Sequence, residues 1–464
     1  MYLAPYAEDC FFVEKETVIE TVPEWSELLD ESEVEFDVEV EEIPAEILDY
    51  LQTPIHITPD YITINFNRWN PDYASHTSST IPDSLKLVGS DLAFKKLYEF
   101  FETLESISDQ DIDPIEIFHW GDSQIEGDRI SGVLRSSWQK TWGGSGPGLI
   151  PGVQPIPALS IRQEIDGNWS RHTRFGELDS TIEHNAYGPM VAFCRVDGDA
   201  NITLKPHPSG FKLNKVWPRI KINIGAAPLG GNITIKGSTN PYRAFSIRPA
   251  SSSMHQEILV NLEEGENELN VGFEGYKLEV TGIELGSSNG VQLHNIPMRG
   301  SAGMIFTKLD SKHLKRSLEN RRVGLMVLQF GGNVVPYIKD TIAAKRYGKR
   351  FAKQLSYLKQ LKPNSSIIVI GPADMGGDTE STIYPMLGAV INSLEAASIE
   401  EDCLFWNTYK VMAEAGSMKR WSEAEPRLAS PDLIHFTPKG ARIIGERIDL
   451  ALRAEYKSWL EWKR

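Results

Sequence analysis

The chain has 464 residues, 41% of them hydrophobic, and a net charge of −17; that length exceeds what one core organises and predicts two or three domains. The longest apolar runs stay short of the 18 or so residues that a membrane-spanning helix needs. The charge is local, with 17 acidic side chains against Lys15 alone in residues 1–50, so the remaining 414 residues sit at −1, and a nucleic-acid partner is excluded because no basic stripe exists to displace counterions.

At the start, MYLAPYAEDC has neither a basic head nor an apolar core, so no signal peptide is visible. The stretch ESEVEFDVEVEE at 31–42 reads as a solvated tail or loosely packed extension, although its alternating Val and Phe would also suit an edge strand. Residues 1–83 are therefore an acidic, partly ordered extension, with a strand-like piece DYITINFNRW at 60–69. The three cysteines, Cys10, Cys194 and Cys403, lack metal-ligand spacing and form no disulfide framework. Buried thiols are expected, with no metal and no cofactor.

From residue 84 strands and helices alternate. DLAFKKLYEFFETLES (91–106) places Leu92, Leu97, Phe100, Phe101 and Leu104 near one helical face. IEIFHW (115–120) is a short buried strand, GDSQ a turn, and the next helix carries Ile130, Val133, Leu134 and Trp138. Residues 84–150 thus hold a strand-turn-helix unit with Ser123 at its turn. Residues 151–295 change character: NITLKP, RIKINIG, NITIKG, EILVNL, NELNVGF and YKLEVTGIEL are short alternating runs between turn residues, the pattern of an antiparallel sandwich or jelly roll. In residues 296–464 alternation of strand and helix resumes, with VGLMVLQF (323–330), a basic amphipathic helix over 341–361, SIIVIGP (366–372) and LFWNTY (404–409). A long helix from Pro438 closes the chain, with Thr437 as N-cap and Ile444, Ile448 and Leu452 on its core face. The simplest architecture is one α/β domain, a parallel sheet with helices on both faces, interrupted by an inserted β-sandwich.

Serine-based acyl transfer needs an exposed hydroxyl, a base, a group that orients the base, and donors for the developing oxyanion. Ser123, in HWGDSQIEGD, lies between a strand and a helix, where open α/β sheets present ligand groups. His435 follows Asp432 by three residues in SPDLIHFTPKG, a spacing that lets the carboxylate reach imidazole Nδ1. Asn333, in FGGN after a buried strand, can offer a side-chain amide, and Gly303, in RGSAG, a backbone N–H, with Gly300 as the fallback. Alone, each has a plainer reading, as an N-cap, a turn histidine, a turn asparagine and a tight-turn glycine.

Taken together and in this order, these residues resemble the SGNH (GDSL-like) hydrolases, whose four sequence blocks carry Ser, Gly, Asn and His. The resemblance covers roughly residues 112–150 and 296–455. It implies the flavodoxin-like SGNH fold, Ser123 as nucleophile, Asp432 and His435 completing the triad, and Ser123, Gly303 and Asn333 forming the oxyanion hole. HWGDSQIEGDRISGVLRSSWQKTWGGSGPGL followed by a β-rich insert is similar to bacterial peptidoglycan O-acetylesterases, which carry a carbohydrate-binding-module-like sandwich at that place. That implies a serine esterase taking O-acetyl groups from an acetylated glycan without metal or cofactor. A cell-wall substrate would further imply a periplasmic or extracellular location. A glycan O-acetyltransferase with the same triad and a non-catalytic glycan-binding envelope protein are the alternatives.

Other residues have plainer expectations. Glu126 and Asp128 suit the start of a helix by charge. Gly143, Gly144, Gly146 and Gly148 lack the Lys-Ser/Thr of a phosphate loop and read as a shaped loop beside the active site. Trp169, Trp217 and Tyr242 could stack on sugars, but core packing is the default for aromatic residues in a sandwich.

Overall fold

Strand β1 (Ile115–Gly121) is buried along its whole length, as a central parallel strand must be. Its alternate residues feed two different cores: Ile115 and Ile117 enter one, Phe118 and Trp120 the other. The computed structural model describes residues 81–108, 113–262, 266–376 and 384–463; the acidic segment and the strand expected at 60–69 lie outside them.

The insert begins at β2 (Gly148–Ile150) and continues through β3 (Ile161–Thr173), β4 (Ala192–Pro206), β5 (Arg219–Ile224), β6 (Gly231–Gly237), β7 (Arg243–Ile247), β8 (Gln256–Asn261) and β9 (Leu269–Gly286). These form an antiparallel eight-stranded sheet organised around β9, which pairs with β2, β4, β5 and β6. Ile220, Ile222, Ile233, Ile235, Val271 and Phe273 fill its single core. Trp217 is buried there, Trp169 packs against that core, and Tyr242 is exposed.

The chain then returns to the α/β part with β10 (Val291–Pro297), followed by β11 (Arg322–Gln329), β12 (Ser366–Ile370) and β13 (Leu404–Trp406). The sheet is parallel, in the order β10-β1-β11-β12-β13. Counted within this domain alone the order is 2-1-3-4-5, the flavodoxin-like winding. The boundary expected at residue 295 therefore falls inside β10. That run, VQLHNIP, alternates like the insert's strands, so its parallel pairing with β1 is invisible locally.

Helices α1 (Asp91–Glu105), α2 (Ser131–Trp142) and α8 (Pro438–Lys463) cover one face of the sheet. Helices α3 (Ser311–Glu319), α4 (Thr341–Leu361) and α5 (Leu387–Glu400) cover the other; α6 (Thr408–Val411) and α7 (Ser417–Glu423) are short connectors. On α1 the buried stripe is Ala93, Leu97, Phe100, Phe101 and Leu104, and Leu92 is exposed. Five residues separate Leu92 from Leu97, about 140° around the helix, which turns Leu92 away from the core. Thr437 caps α8 as expected, its Oγ1 accepting the Gly440 N–H at 3.2 Å.

A buried ionic cluster joins the insert to the α/β part. The Arg321 guanidinium donates to both Glu116 oxygens (3.0 and 2.9 Å), to Glu284 Oε2 (3.1 Å) and to Asn223 Oδ1 (3.2 Å). Lys221 lies 3.6 Å from Glu284. Burial alone would raise the Glu116 carboxyl, but Arg321 and His294 outweigh it and hold it at about 2. The glycines of the 143–148 loop meet the backbone of Leu285, Val291 and Leu293. Val291 pairs with Ile115 at the amino end of β1, whereas Ser123 follows its carboxyl end. The expected place beside the active site is thus corrected: these glycines permit close passage of the insert's entry along the sheet edge.

Candidate active site

The winding reverses at β1, whose neighbours β10 and β11 leave in opposite directions. Ligand groups in such sheets gather at the carboxyl ends of the strands beside the reversal. Ser123 follows β1 there, and Asn333 lies in the 3-10 turn Gly332–Tyr337 after β11. The turn Met298–Ser301, after β10, is anchored to the same edge by Met298 N–H donating to Gly121 O at 2.7 Å.

The loop before α8 meets this edge. Ser123 Oγ and His435 Nε2 are 2.8 Å apart, and His435 Nδ1 lies 2.6 Å from Asp432 Oδ2. The second Asp432 oxygen accepts the backbone N–H groups of Ile434 and His435, each at 3.0 Å. Burial would raise the Asp432 carboxyl, yet the imidazole and these amides hold it at about 2. Leu433 has φ +57, a left-handed conformation that costs a bulky residue about 1–2 kcal/mol and folds the loop tightly enough for the carboxylate to reach back. Ser123, Asp432 and His435 thus stand in one hydrogen-bonded row.

Two other serine–histidine pairs sharpen the comparison. Ser131 Oγ lies 2.8 Å from His119 Nδ1, but His119 is fully buried and burial depresses its imidazole to about 3; it is a core histidine, held also near Gln329. In the insert Ser170 Oγ lies 2.8 Å from His172 Nε2, and His172 Nδ1 lies 2.9 Å from Asp179. There Nδ1 makes no well-directed hydrogen bond, so the imidazole is not oriented as His435 is.

The residues expected to receive an oxyanion are placed less uniformly than the sequence implies. Asn333 Nδ2 donates to Ser301 O at 3.1 Å, which sets the amide against the turn after β10. Gly303, expected to offer its N–H, gives it to Ser301 Oγ at 3.1 Å. An added Cβ there would meet the Phe330 ring at 2.8 Å, so this glycine serves close packing. Gly300 has φ +75 with open space around its Cα, at the tip of the turn closed by Ser301 N–H to Met298 O (3.0 Å). Glu126 and Asp128 are held by more than a helix end. Arg299 makes two bonds to Glu126 (2.8 and 2.6 Å), and Arg135 two to Asp128 (2.5 and 2.8 Å).

Sequence reasoning passed over several neighbours. Asp122 is buried and accepts the Gln124 N–H at 3.0 Å, and burial pushes its carboxyl up to about 6. Arg129 donates to Glu126 O (2.8 Å), Phe436 O (2.8 Å) and Ser123 O (3.3 Å). A buried trio with metal-ligand spacing, Glu116, Glu284 and His294, lies far along the sheet. Both of its carboxylates receive Arg321, a donor set that fits an ion-pair cluster rather than a cation. Cys194 and Cys403 are buried, and burial raises the thiols to about 11 and about 12. Among the described residues no helix is long and apolar enough to cross a membrane.

No family model matches the chain, and no curated protein does. Solved structures do. A peptidoglycan O-acetylesterase structure is 19% identical and superposes with a TM-score of 0.62 over 80% of this chain and 99% of that one. A family two carbohydrate esterase from Cellvibrio japonicus matches at 9% identity and TM-score 0.27, over 65% of this chain and 99% of that one. A salicylyl-acyltransferase from a tetracycline biosynthetic pathway matches at 10% identity and TM-score 0.27, over 64% and 94%. The first is similar over nearly its whole length, and together with the strand order it shows that this chain has the SGNH-type α/β fold with an antiparallel insert.

Proposed function

We propose that this protein is a serine esterase that removes O-acetyl groups from a carbohydrate polymer through an acyl-Ser123 intermediate. The observation that carries the reading is the row from Ser123 Oγ through His435 to Asp432 at the reversal point of the sheet. The fold shared with a peptidoglycan O-acetylesterase supports an acetylated glycan as substrate, with peptidoglycan the first to test. Such a polymer would place the protein in the periplasm or outside the cell.

Ser123 Oγ attacks the acetyl carbonyl as His435 Nε2 takes its proton, and Asp432 steadies the imidazolium through Nδ1. The oxyanion is received by the Ser123 N–H, the Asn333 amide and a backbone N–H of the turn after β10. For that last donor we assign Gly300, since Gly303 already donates to Ser301. His435 then returns the proton to the departing sugar oxygen. In the second half it activates a water that releases acetate from Ser123. Asp432, held at about 2, stays ionised throughout the neutral range.

The test is acetate release from O-acetylated peptidoglycan, O-acetylated xylan and an aryl acetate, comparing the parent with Ser123→Ala. Release that vanishes in the variant supports the esterase. Acetyl appearing on an added sugar instead of as free acetate would redirect the reading to transfer, and no release with retained glycan binding would end it.

A further inference from the structure

The carbonyl of Ile434 and the amide of Phe436 flank His435 along the chain, and one side chain grips both. Gln124 Nε2 donates to Ile434 O at 2.6 Å, and Gln124 Oε1 accepts the Phe436 N–H at 3.4 Å. A primary amide bonded in this way satisfies a backbone acceptor and a backbone donor at once, one on each side of His435. Gln124 follows the nucleophile directly, so its grip spans 310 residues of sequence to reach the other half of the site. The Gln124 backbone is itself fixed by Asp122, whose Oδ1 accepts its N–H at 3.0 Å.

The backbone groups of His435 itself are satisfied within its own loop. Its N–H goes to Asp432 Oδ1 and its carbonyl accepts Ser430 N–H at 2.8 Å. Those bonds shape the loop but do not tie it to Ser123. The ties across are the Ser123–His435 contact itself, the Gln124 amide, and Arg129, which bonds Phe436 O and Ser123 O together.

We infer that Gln124 is a positioning residue, whose side-chain amide sets the height of the His435 imidazole over the Ser123 hydroxyl. This rests on the reading of those two residues as base and nucleophile. Gln124 exchanges no proton and touches no reacting atom in the scheme above. Its effect falls on the geometry of proton transfer, so it acts on kcat rather than on binding. A displacement of about 1 Å in such a site costs on the order of 100-fold.

Two variants of the full chain test it. Gln124→Met keeps the length and removes the amide. Gln124→Glu keeps an acceptor for the Phe436 N–H but sets a carboxylate against Ile434 O and adds a negative charge near the imidazolium. With an aryl acetate, Gln124→Met should lower kcat about 10- to 100-fold with KM within about twofold. Gln124→Glu should lower kcat as well and move the acidic limb of the pH profile to higher pH. The low-field proton resonance of His435 Nδ1–H, identified by its loss in His435→Gln, should shift in both variants.

Turnover within about twofold of the parent in both variants, with the ring proton unmoved, overturns the inference; so does a loss of kcat matched by unfolding while the ring proton of the folded fraction stays in place. If the parent hydrolyses no ester the esterase reading fails, and the ring proton alone then decides whether Gln124 holds His435.

Discussion

Asp122 Oδ1 accepts the Gln124 N–H at 3.0 Å from a side chain with almost no access to water. The turn at Ser123 is therefore capped by an acid that burial pushes up to about 6. Because this carboxyl is raised in the fold, the folded state binds its proton more tightly than the unfolded chain does. The stability it contributes is present below the unfolded value near 3.8 and is lost as pH rises through about 6. At pH 8 the ionised group costs roughly 3 kcal/mol. Asp122→Asn keeps an oxygen for the cap and escapes that cost. Its melting temperature relative to the parent should therefore rise between pH 4 and pH 8, as thermal scans at both pH values would show; a constant difference would refute the assignment.

Asp432 has the opposite sign. Its lowered carboxyl gives stability that is present above the unfolded value near 3.8 and lost as pH falls through about 2. Loss of activity between pH 4 and 7 then belongs to another group. Asp432→Asn leaves the two backbone bonds in place but no longer accepts the imidazole N–H as a carboxylate. Turnover should fall by about 10⁴ with little change in KM, measured with an aryl acetate; a drop below tenfold would refute the role proposed for Asp432.

Asn333 rests on Ser301 O at 3.1 Å and is proposed to turn to the developing oxyanion. Asn333→Ala should reduce kcat about 100- to 1,000-fold. Steady-state kinetics separates this from a binding defect, which would raise KM and spare kcat.

Arg321 is the shared partner of two buried carboxylates. Removing it as Arg321→Met leaves the two carboxylates with only Lys221 and His294 beside them and should cost about 3–5 kcal/mol in urea unfolding. The added changes Glu116→Gln and Glu284→Gln remove the stranded charge and should recover much of that loss. A triple variant no more stable than the single one would show that shape, not charge, governs this interface.

Much of the candidate site was legible because its parts are local. GDS sits at a strand end, and Asp432 and His435 share one short loop, so each announces itself without knowledge of the fold. The alternation that separates the insert from the α/β part is local too. What escaped depends on distant pairing. VQLHNIP reads like one more strand of the insert, and only its register with Ile115–Gly121 makes it the edge of the parallel sheet. Gln124 and Arg129 look like ordinary polar residues after a turn until a loop about 310 residues away closes over them. The proposal of Gly300 over Gly303 rests on a hydroxyl, Ser301 Oγ, whose direction no spacing reveals.

The position of β1 has a consequence for synthesis. It is the first strand of its sheet to leave the ribosome, yet both its partners come after the insert, at Val291–Pro297 and Arg322–Gln329. At 5–20 residues per second the apolar run IEIFHW waits on the order of 10 s for its first neighbour. Throughout that interval the insert, complete by Gly286, is free to fold on its own strands. Nascent chains halted before residue 297 should therefore hold a folded β-rich module beside an unpaired, aggregation-prone strand, the stage at which a chaperone has most to protect.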